Sequence, residues 1–265
     1  MTRIDKTFAA LKAKRETALI PFLTAGNPDL TATAQLIRTL AENGADLIEL
    51  GVPFSDPMAD GPTIQAASER ALAGGTSVEK VLQLVAEVRS DCQVPLVLMG
   101  YYNPFFRYGA ERFAKDAAAA GVDGVLLVDL PPEEAGEISS VLKQAGIAMI
   151  TLLAPTTPPE RMKKLAAAAE GYIYYVSMTG VTGTQKITPD EIRATVEGIQ
   201  QMTEVPVGVG FGITTAEDAK AVGVFADGVV VGSALVKIIA ENAGRDELLP
   251  KVGRFVAELK QGLLA

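Results

Sequence analysis

Short apolar runs alternate with longer amphipathic stretches along most of the chain. Each run has the continuous apolar character of a strand that is buried on both faces of a parallel sheet. The pattern therefore predicts eight strands, which are Leu19–Thr24, Leu47–Val52, Leu96–Gly100, Gly124–Val128, Ala148–Leu152, Ile173–Ser177, Val207–Val209 and Gly228–Val231.

The stretches between these runs have the spacing of helices. Several of them end where a glycine follows, as expected of a helix C-terminus, and the glycines are Gly44, Gly121 and Gly146. Hydroxyl residues at the starts are predicted N-caps, namely Thr31, Ser77 and Thr188. The predicted helices are Thr31–Asn43, Ser77–Arg89, Arg112–Ala120, Glu133–Ala145, Pro159–Ala167 and Pro189–Gln200.

Strands that are each followed by a helix predict an α/β fold, the closed parallel (β/α)8 TIM barrel. The amphipathic segment Ile4–Lys14 precedes the first strand and is predicted as an extra N-terminal helix over the amino-terminal face of the barrel. Asp246–Leu263 is predicted as the last helix. Because no linker divides the 265 residues, which is close to the usual length of such a barrel, we expect one domain over residues 1–265.

Composition limits the chemistry that this barrel can perform. There is no His, so His-dependent triads and the commonest metal ligands are excluded, and we expect no metal. The single Cys92 cannot form a disulfide within the chain and suits a reducing cytoplasm. A net charge of −8 argues against nucleic-acid binding. No apolar run is long enough to span a bilayer, and the first residues lack the apolar core of a signal peptide, so we expect a cytoplasmic protein without a membrane segment.

One carboxylate interrupts an apolar run. Glu49 lies inside the second predicted strand, and a loop with Asp56 and Asp60 follows it. A carboxylate on a rigid strand beside carboxylates on a loop suits acid–base chemistry, although a strand-end Glu paired with an Arg or Lys would explain the same pattern. In a parallel barrel the loops after the strands lie on the catalytic face.

Glycine-rich strand ends suggest a second feature of that face. Gly210-Phe211-Gly212 ends the seventh predicted strand, and Gly232-Ser233 ends the eighth and opens a helix. Backbone N–H groups at such positions, with the dipole of a helix N-terminus, can bind a small phosphomonoester. Gly183, in the loop after the sixth strand, could add a further N–H. Plain turn geometry remains the alternative for each glycine.

Leu47–Pro62, read as LIELGVPFSDPMADGP, resembles the signature of the tryptophan synthase α-subunit family. Similar family blocks follow in the same order over essentially the whole chain, namely Pro21–Asp29, Tyr101–Pro104, Gly180–Gly183 and Gly210–Ile213. The resemblance implies a lyase that cleaves indole-3-glycerol phosphate to indole and glyceraldehyde 3-phosphate. It also implies an α2β2 heterotetramer in which a β subunit, carrying pyridoxal phosphate, receives the indole. No cofactor is implied for this chain.

The resemblance also carries residue roles onto matching positions. Glu49 resembles the catalytic acid and base, and Asp60 resembles the carboxylate that engages the indole N–H. Substrate-binding positions would be Phe22, Leu126, Phe211 and Tyr174, and phosphate-binding positions would be Gly183, Gly212, Gly232 and Ser233. Asp129 and Thr182 resemble residues that close a loop over the site. Expected contacts with the β subunit are Asp56, Pro57, Asn103 and Pro104.

Some expectations compete with others. A solvated turn would explain Asp56 as well as an interface role does. Met178-Thr179 departs from the family, many of whose members carry an Arg followed by a small residue, and this affects loop closure. A different phosphate-binding barrel enzyme, such as an isomerase, would share the glycine loops but would not need the block around Glu49 and Asp60. A non-enzymatic partner of a β subunit would need neither carboxylate.

Overall fold

The computed structural model describes residues 1–177, 189–210 and 212–265. Within them one parallel sheet runs in the order β5-β4-β3-β2-β1-β9-β8-β7-β6. Its strands are β1 (Ala18–Thr24), β2 (Ile48–Gly51), β3 (Leu96–Gly100), β4 (Gly124–Leu127), β5 (Ala148–Met149), β6 (Thr151–Leu153), β7 (Ile173–Val176), β8 (Val207–Gly210) and β9 (Gly228–Val231). The structure thus confirms the predicted barrel architecture.

The fifth predicted strand differs from the prediction because it consists of two short strands that use different partners. β5 pairs with β4, and β6 pairs with β7. Only Ile150 separates the two, and its N–H still donates to the carbonyl oxygen of Val125 at 2.8 Å. Neighbouring strands of a barrel are staggered. The segment 148–153 therefore pairs with β4 through its first half and with β7 through its second half. The chain itself therefore joins the two ends of the sheet.

The first helix fills the amino-terminal end of the barrel, as predicted. Helix α1 (Arg3–Lys14) buries Ile4, Phe8 and Leu11. The ring of Phe8 lies 5.9 Å from the ring of Tyr172. The helix joins an interior cluster of side chains on the strands or directly beside them, which are Ala18, Ile20, Leu47, Val97, Leu126, Ala148, Ile150, Tyr172 and Val230. A larger apolar layer lies between the strands and the surrounding helices.

The outer helices lie close to the predicted ranges, with four additions. They are α2 (Leu30–Glu42), α3 (Pro62–Ala73), α4 (Val78–Val88), α5 (Tyr102–Tyr108), α6 (Ala110–Ala120), α7 (Gly136–Gln144), α8 (Pro159–Ala168), α9 (Pro189–Gln200), α10 (Ala216–Gly223), α11 (Ser233–Glu241) and α12 (Leu248–Leu264). The sequence pattern predicted no range for α3, α5, α10 or α11, although it placed a helix start at Gly232-Ser233.

Two of the predicted N-caps can be checked. Ser77 caps α4, as predicted, because its side chain accepts a hydrogen bond from Lys80 N. The prediction of Thr31 was wrong: α2 starts earlier, and Asp29 accepts a hydrogen bond from Ala32 N at 2.7 Å. A carboxylate at this position satisfies a free N–H and also suits the helix dipole. Thr188 lies outside the described residues.

The segment that follows β3 is helical, although the sequence pattern predicted no helix there. Residues 102–108 form α5, in which Phe105 is fully buried and Phe106 is 59% exposed. Across the described ranges, no helix combines the length and apolarity required to cross a bilayer.

Candidate active site

Because every strand pair is parallel, the carboxyl ends of the strands meet at one face of the barrel. β2 brings Glu49 to this face, and the loop after β2 brings Asp60. β7 brings Tyr174, and β9 leads directly into α11. The structure therefore places both predicted catalytic carboxyls and the predicted phosphate-binding positions Gly232 and Ser233 at the carboxyl face.

Glu49 is fully buried among apolar neighbours. Its register partners are Phe22 on β1 and Val97 on β3. The hydroxyl of Tyr172 donates to Glu49 Oε1 at 2.5 Å, while Oε2 has no hydrogen-bond partner in the described part of the chain. Burial raises the pKa of the Glu49 carboxyl to about 8, and the Tyr172 hydrogen bond opposes that shift. The group is therefore mostly protonated at neutral pH.

The partner of Glu49 decides between the two interpretations of its position. Among the described residues this partner is a phenol, and not the Arg or Lys that a strand-end ion pair would require. A neutral carboxylic acid with one free oxygen is able to give a proton to a bound molecule. The acid–base interpretation therefore fits the geometry better.

Asp60 is partly buried at the end of the loop after β2. Its N–H donates to the carbonyl oxygen of Pro57 at 3.1 Å, and its own carbonyl oxygen accepts a hydrogen bond from Gln65 Nε2 at 2.8 Å. Burial raises the pKa of Asp60 to about 6, and a hydrogen bond with Tyr101 opposes the shift. At neutral pH Asp60 is mostly ionised while Glu49 is mostly neutral, so the two carboxyls can take different roles.

Tyr174 lies near both carboxyls. Burial raises the pKa of its phenol, and the negative charges of Glu49 and Asp60 raise it further. A Cβ atom at Gly210 of β8 would collide with the Tyr174 hydroxyl. Glycine at that position therefore makes room for the phenol, a constraint quite separate from phosphate binding.

The apolar positions of the predicted substrate pocket are only partly brought together. Phe22 packs with Ala67 of α3 and Val236 of α11, just below the rim of the barrel. Gly51 accommodates its ring, since a Cβ there would lie 2.6 Å from Phe22 Cζ. Leu126 is fully buried in the interior cluster, so it supports the pocket from below. Phe211 lies outside the described residues.

The predicted phosphate positions gather at two neighbouring strands. Gly232 precedes the nine-residue helix α11, and Ser233 is its first residue. Gly212 follows the adjacent strand β8 and has φ +65°, a left-handed conformation that glycine adopts without strain. The N-terminus of α11 thus faces the rim, where its N–H groups and dipole favour an anion. Gly183 lies outside the described residues.

The remaining predicted positions lie on the loops around the site. Asp129 is exposed, and its Oδ1 accepts a hydrogen bond from Tyr102 N at 2.7 Å, which satisfies a free N–H at the start of α5. Asp56 is exposed and accepts a hydrogen bond from Ser55 Oγ at 2.5 Å. Pro57 and Pro104 are half-buried and Asn103 is exposed, whereas Thr182 and the Met178-Thr179 departure lie outside the described residues.

The sequence interpretation missed two tyrosines of the site. Tyr172 contacts Glu49, and Tyr101 contacts the loop that carries Asp60. Tyr172 stands two residues before Tyr174, so strand periodicity places both side chains inside the barrel, and this signal was present in the sequence. For Tyr101 the only sequence signal of a place in the site was its position directly after a predicted strand.

A parallel barrel with a neutral carboxyl acid, an ionised carboxylate and a helix N-terminus at its carboxyl face defines a (β/α)8-barrel enzyme that performs acid–base chemistry. The family model described as "Tryptophan synthase alpha chain" matches residues 8–263. The chain belongs to the tryptophan synthase alpha chain family.

Curated relatives and solved structures agree with this membership. The tryptophan synthase alpha chain of Geotalea daltonii is 54% identical over 100% of both chains, and that of Geobacter sulfurreducens is 55% identical over 99% of both. A crystal structure of the alpha subunit from Legionella pneumophila matches with a TM-score of 0.92 at 44% identity, covering 99% of this chain and 98% of that one. A tryptophan synthase structure from M. tuberculosis in its aminoacrylate-bound form matches at 0.89 and 36%, covering 99% and 100%.

The activity follows from this membership. The chain is a lyase of tryptophan biosynthesis that cleaves indole-3-glycerol phosphate to indole and glyceraldehyde 3-phosphate, and the indole passes to a β subunit that makes tryptophan. The isomerase and the non-enzymatic alternatives are therefore excluded.

Proposed function

We propose that Glu49 is the general acid and base of the cleavage, and that Asp60 stabilises the indole nitrogen. The observation that carries this proposal is the contrast between the two carboxyls, one buried and neutral and the other mostly ionised, at one face of the barrel. Cleavage needs a proton at indole C3 and negative charge near the indole N–H, and these two groups are suited to supply them.

The reaction begins with proton transfer. Neutral Glu49 gives its proton to C3, which produces an indolenine-like cation. The positive charge develops toward the ring nitrogen, where ionised Asp60 stabilises it. The glycerol hydroxyl then gives its proton to the Glu49 carboxylate while the C3–glycerol bond breaks, and the bonding electrons return to the ring. Indole and the aldehyde leave, and Glu49 is protonated again.

Binding groups would surround this chemistry. The amides at Gly232 and Ser233, with Gly212 and the predicted Gly183, would hold the phosphate. Phe22 and Phe211, supported by Leu126, would form the apolar pocket for the indole ring. Tyr174, protonated and close to both carboxyls, would orient the glycerol chain. Asp129 and Thr182 would take part in closing the site.

The partner surface would be formed by the loop after β2 and by α5. Asp56, Pro57, Asn103 and Pro104 are the proposed contacts. Met58 and Phe106, on the same two segments, are 80% and 59% exposed, and large apolar side chains left in water favour a docking surface. We propose an α2β2 heterotetramer in the cytoplasm, with the chain acting as a single domain and the pyridoxal phosphate held by the β subunit.

Indole release from indole-3-glycerol phosphate, followed with Glu49→Gln, tests the residue assignment. The amide keeps the shape of the side chain but cannot transfer a proton, so turnover should fall by more than about a thousandfold while substrate still binds. Glu258→Gln, on the exposed side of α12, is the matched control and should retain full activity. Turnover near the wild-type level in folded Glu49→Gln would overturn the assignment.

A further inference from the structure

We propose that Tyr101 is a positioning residue for Asp60. It holds both the Asp60 carboxylate and the backbone of its loop in place at the carboxyl face of the barrel. The inference rests on the proposed role of Asp60. Tyr101 follows β3 directly at the carboxyl face and is 3% exposed. A buried phenol needs hydrogen-bond partners, and those of Tyr101 lie on the loop that carries Asp60.

The contacts attach the loop at two places. The Tyr101 hydroxyl accepts a hydrogen bond from Ala59 N at 3.0 Å, one residue before Asp60. The Tyr101 ring lies 5.4 Å from the ring of Phe54, near the start of the same loop. A phenol that accepts from Ala59 N keeps its own O–H to donate, and we assign this donation to the carboxylate of Asp60, the next residue along the loop.

Tyr101 is itself held from the other side. Residue 102 begins α5, and its N–H donates to Asp129 Oδ1 at 2.7 Å. Tyr101 therefore links the loop that carries Asp60 to β3 and, through the next residue, to α5 and the loop after β4. A catalytic group that is fixed by rigid elements in this way avoids reorganising during the reaction.

The charges around Tyr101 predict the direction in which its hydroxyl shifts the pKa of Asp60. The titratable groups that face Asp60 are Tyr101 and Tyr174 of β7, while Asp129 acts on Tyr101 and Glu49 acts on Tyr174. Burial and the charge of Asp60 raise the pKa of the Tyr101 phenol, so it remains a donor across the working range of pH. Its hydrogen bond favours the ionised form of Asp60, and removal of the hydroxyl should raise the pKa of that carboxyl.

Tyr101→Phe removes the hydroxyl and keeps the ring. The matched control is Tyr108→Phe, which removes another phenol–carboxylate hydrogen bond, from Tyr108 to Asp116 Oδ2 at 2.8 Å, at the far end of α5. The Asp60 carboxyl is titrated by carbon NMR in the wild type and both variants, and kcat/KM for indole release is measured from pH 5 to 9.

Tyr101→Phe should raise the pKa of Asp60 by about one unit and move the acid limb of the kcat/KM profile by the same amount, about a tenfold loss below neutral pH. Tyr108→Phe should change neither. A purely structural role predicts a uniform loss at every pH with an unmoved limb, and that result would overturn the inference. If the wild type releases no indole, the proposed function fails, and the NMR titration still decides whether Tyr101 holds Asp60.

A second variant covers the case in which Tyr101→Phe does not fold. Replacing Tyr101 by 3,5-difluorotyrosine keeps the ring and the hydroxyl but makes the phenol a stronger donor. The pKa of Asp60 should then move down and the acid limb should move toward lower pH, the reverse of Tyr101→Phe. An unchanged Asp60 titration in this variant also overturns the inference.

Discussion

At the scale of single residues, the site depends on how deeply the barrel buries each carboxyl group, because burial sets its pKa. Glu49 has lost its water completely and has one phenol in return, so the protein stabilises its neutral form. Asp60 keeps a partly polar setting, and its pKa stays lower. Most of the difference comes from the deeper burial of Glu49, since Asp and Glu have similar pKa values in water.

This difference predicts a bell-shaped pH profile for kcat/KM. Activity requires ionised Asp60, so it should rise with pH through about 6, and it requires neutral Glu49, so it should fall through about 8. The optimum should lie near neutral pH. Asp60→Asn should remove the acid limb and leave a weaker enzyme with the basic limb in place. A flat profile between pH 5 and 9 would contradict both assignments.

The same carboxyl predicts how stability depends on pH. Folded Glu49 keeps its proton up to about pH 8, whereas in the unfolded chain it ionises near 4.5. Because the unfolded state binds fewer protons between these values, the free energy of unfolding falls as pH rises there. Glu49→Gln does not titrate, so relative to the wild type it should gain on the order of 4 kcal/mol between pH 4.5 and 8.

Urea unfolding at several pH values measures this gain. The quantity to follow is how the difference in unfolding free energy between Glu49→Gln and the wild type changes with pH. Burying the amide adds its own free-energy cost to this difference, but that cost does not vary with pH. Glu258→Gln, again the control, should change stability little. A difference between Glu49→Gln and the wild type that stays constant from pH 4.5 to 8 would show that the carboxyl titrates normally in the fold.

At the scale of elements, α1 closes the amino-terminal end of the barrel with its buried side chains. Phe8 is 6% exposed and packs against Tyr172, which in turn holds Glu49. Phe8→Ala should lower the free energy of unfolding by about 3–5 kcal/mol, as expected for a large buried aromatic. Phe106→Ala, an exposed aromatic on α5, is the control and should cost under about 1 kcal/mol. Equal losses in denaturant unfolding would show that α1 does not close the barrel.

The sequence predicted the strands well because each buried parallel strand is one continuous apolar run. It predicted Glu49 because a charge in such a run is unusual. It missed α5, since its sequence holds Pro104 and several aromatic residues and has no helical period. It also missed the break at Ile150 and the contact between Tyr172 and Glu49, because these depend on pairing between positions up to 123 residues apart.

At the scale of the whole molecule, the catalytic face and the proposed partner surface share the loop after β2. Asp56 and Met58 are exposed on this loop, and Asp60 ends it within the site. A subunit that binds the outer side of the loop would therefore also act on Asp60. By linkage, a substrate analogue should tighten subunit association by the factor by which the β subunit tightens analogue binding.

Mixing the chain with a β subunit should raise indole production from indole-3-glycerol phosphate, because docking would order the loop and exclude water. Asp56→Ala should reduce that rise several-fold while changing basal activity little. Asp91→Ala, which affects an exposed ion pair with Arg38, is the control and should keep the full rise. If the isolated chain is already as active as the mixture, the proposal that the β subunit activates it is wrong, although the roles of Glu49 and Asp60 would stand.

The break at Ile150 also determines how the barrel would come apart. β5 contributes two register pairs and β6 three, while β2 and β3 share four, so the barrel has a seam between its fourth and sixth strands. Backbone amides at the seam should exchange with solvent before those of β2, which hydrogen-exchange mass spectrometry can show. The order of strands sets β2 three positions from one end of the sheet and five from the other. When the barrel opens locally, the strands at the seam should therefore separate before β2, whose backbone carries the catalytic acid.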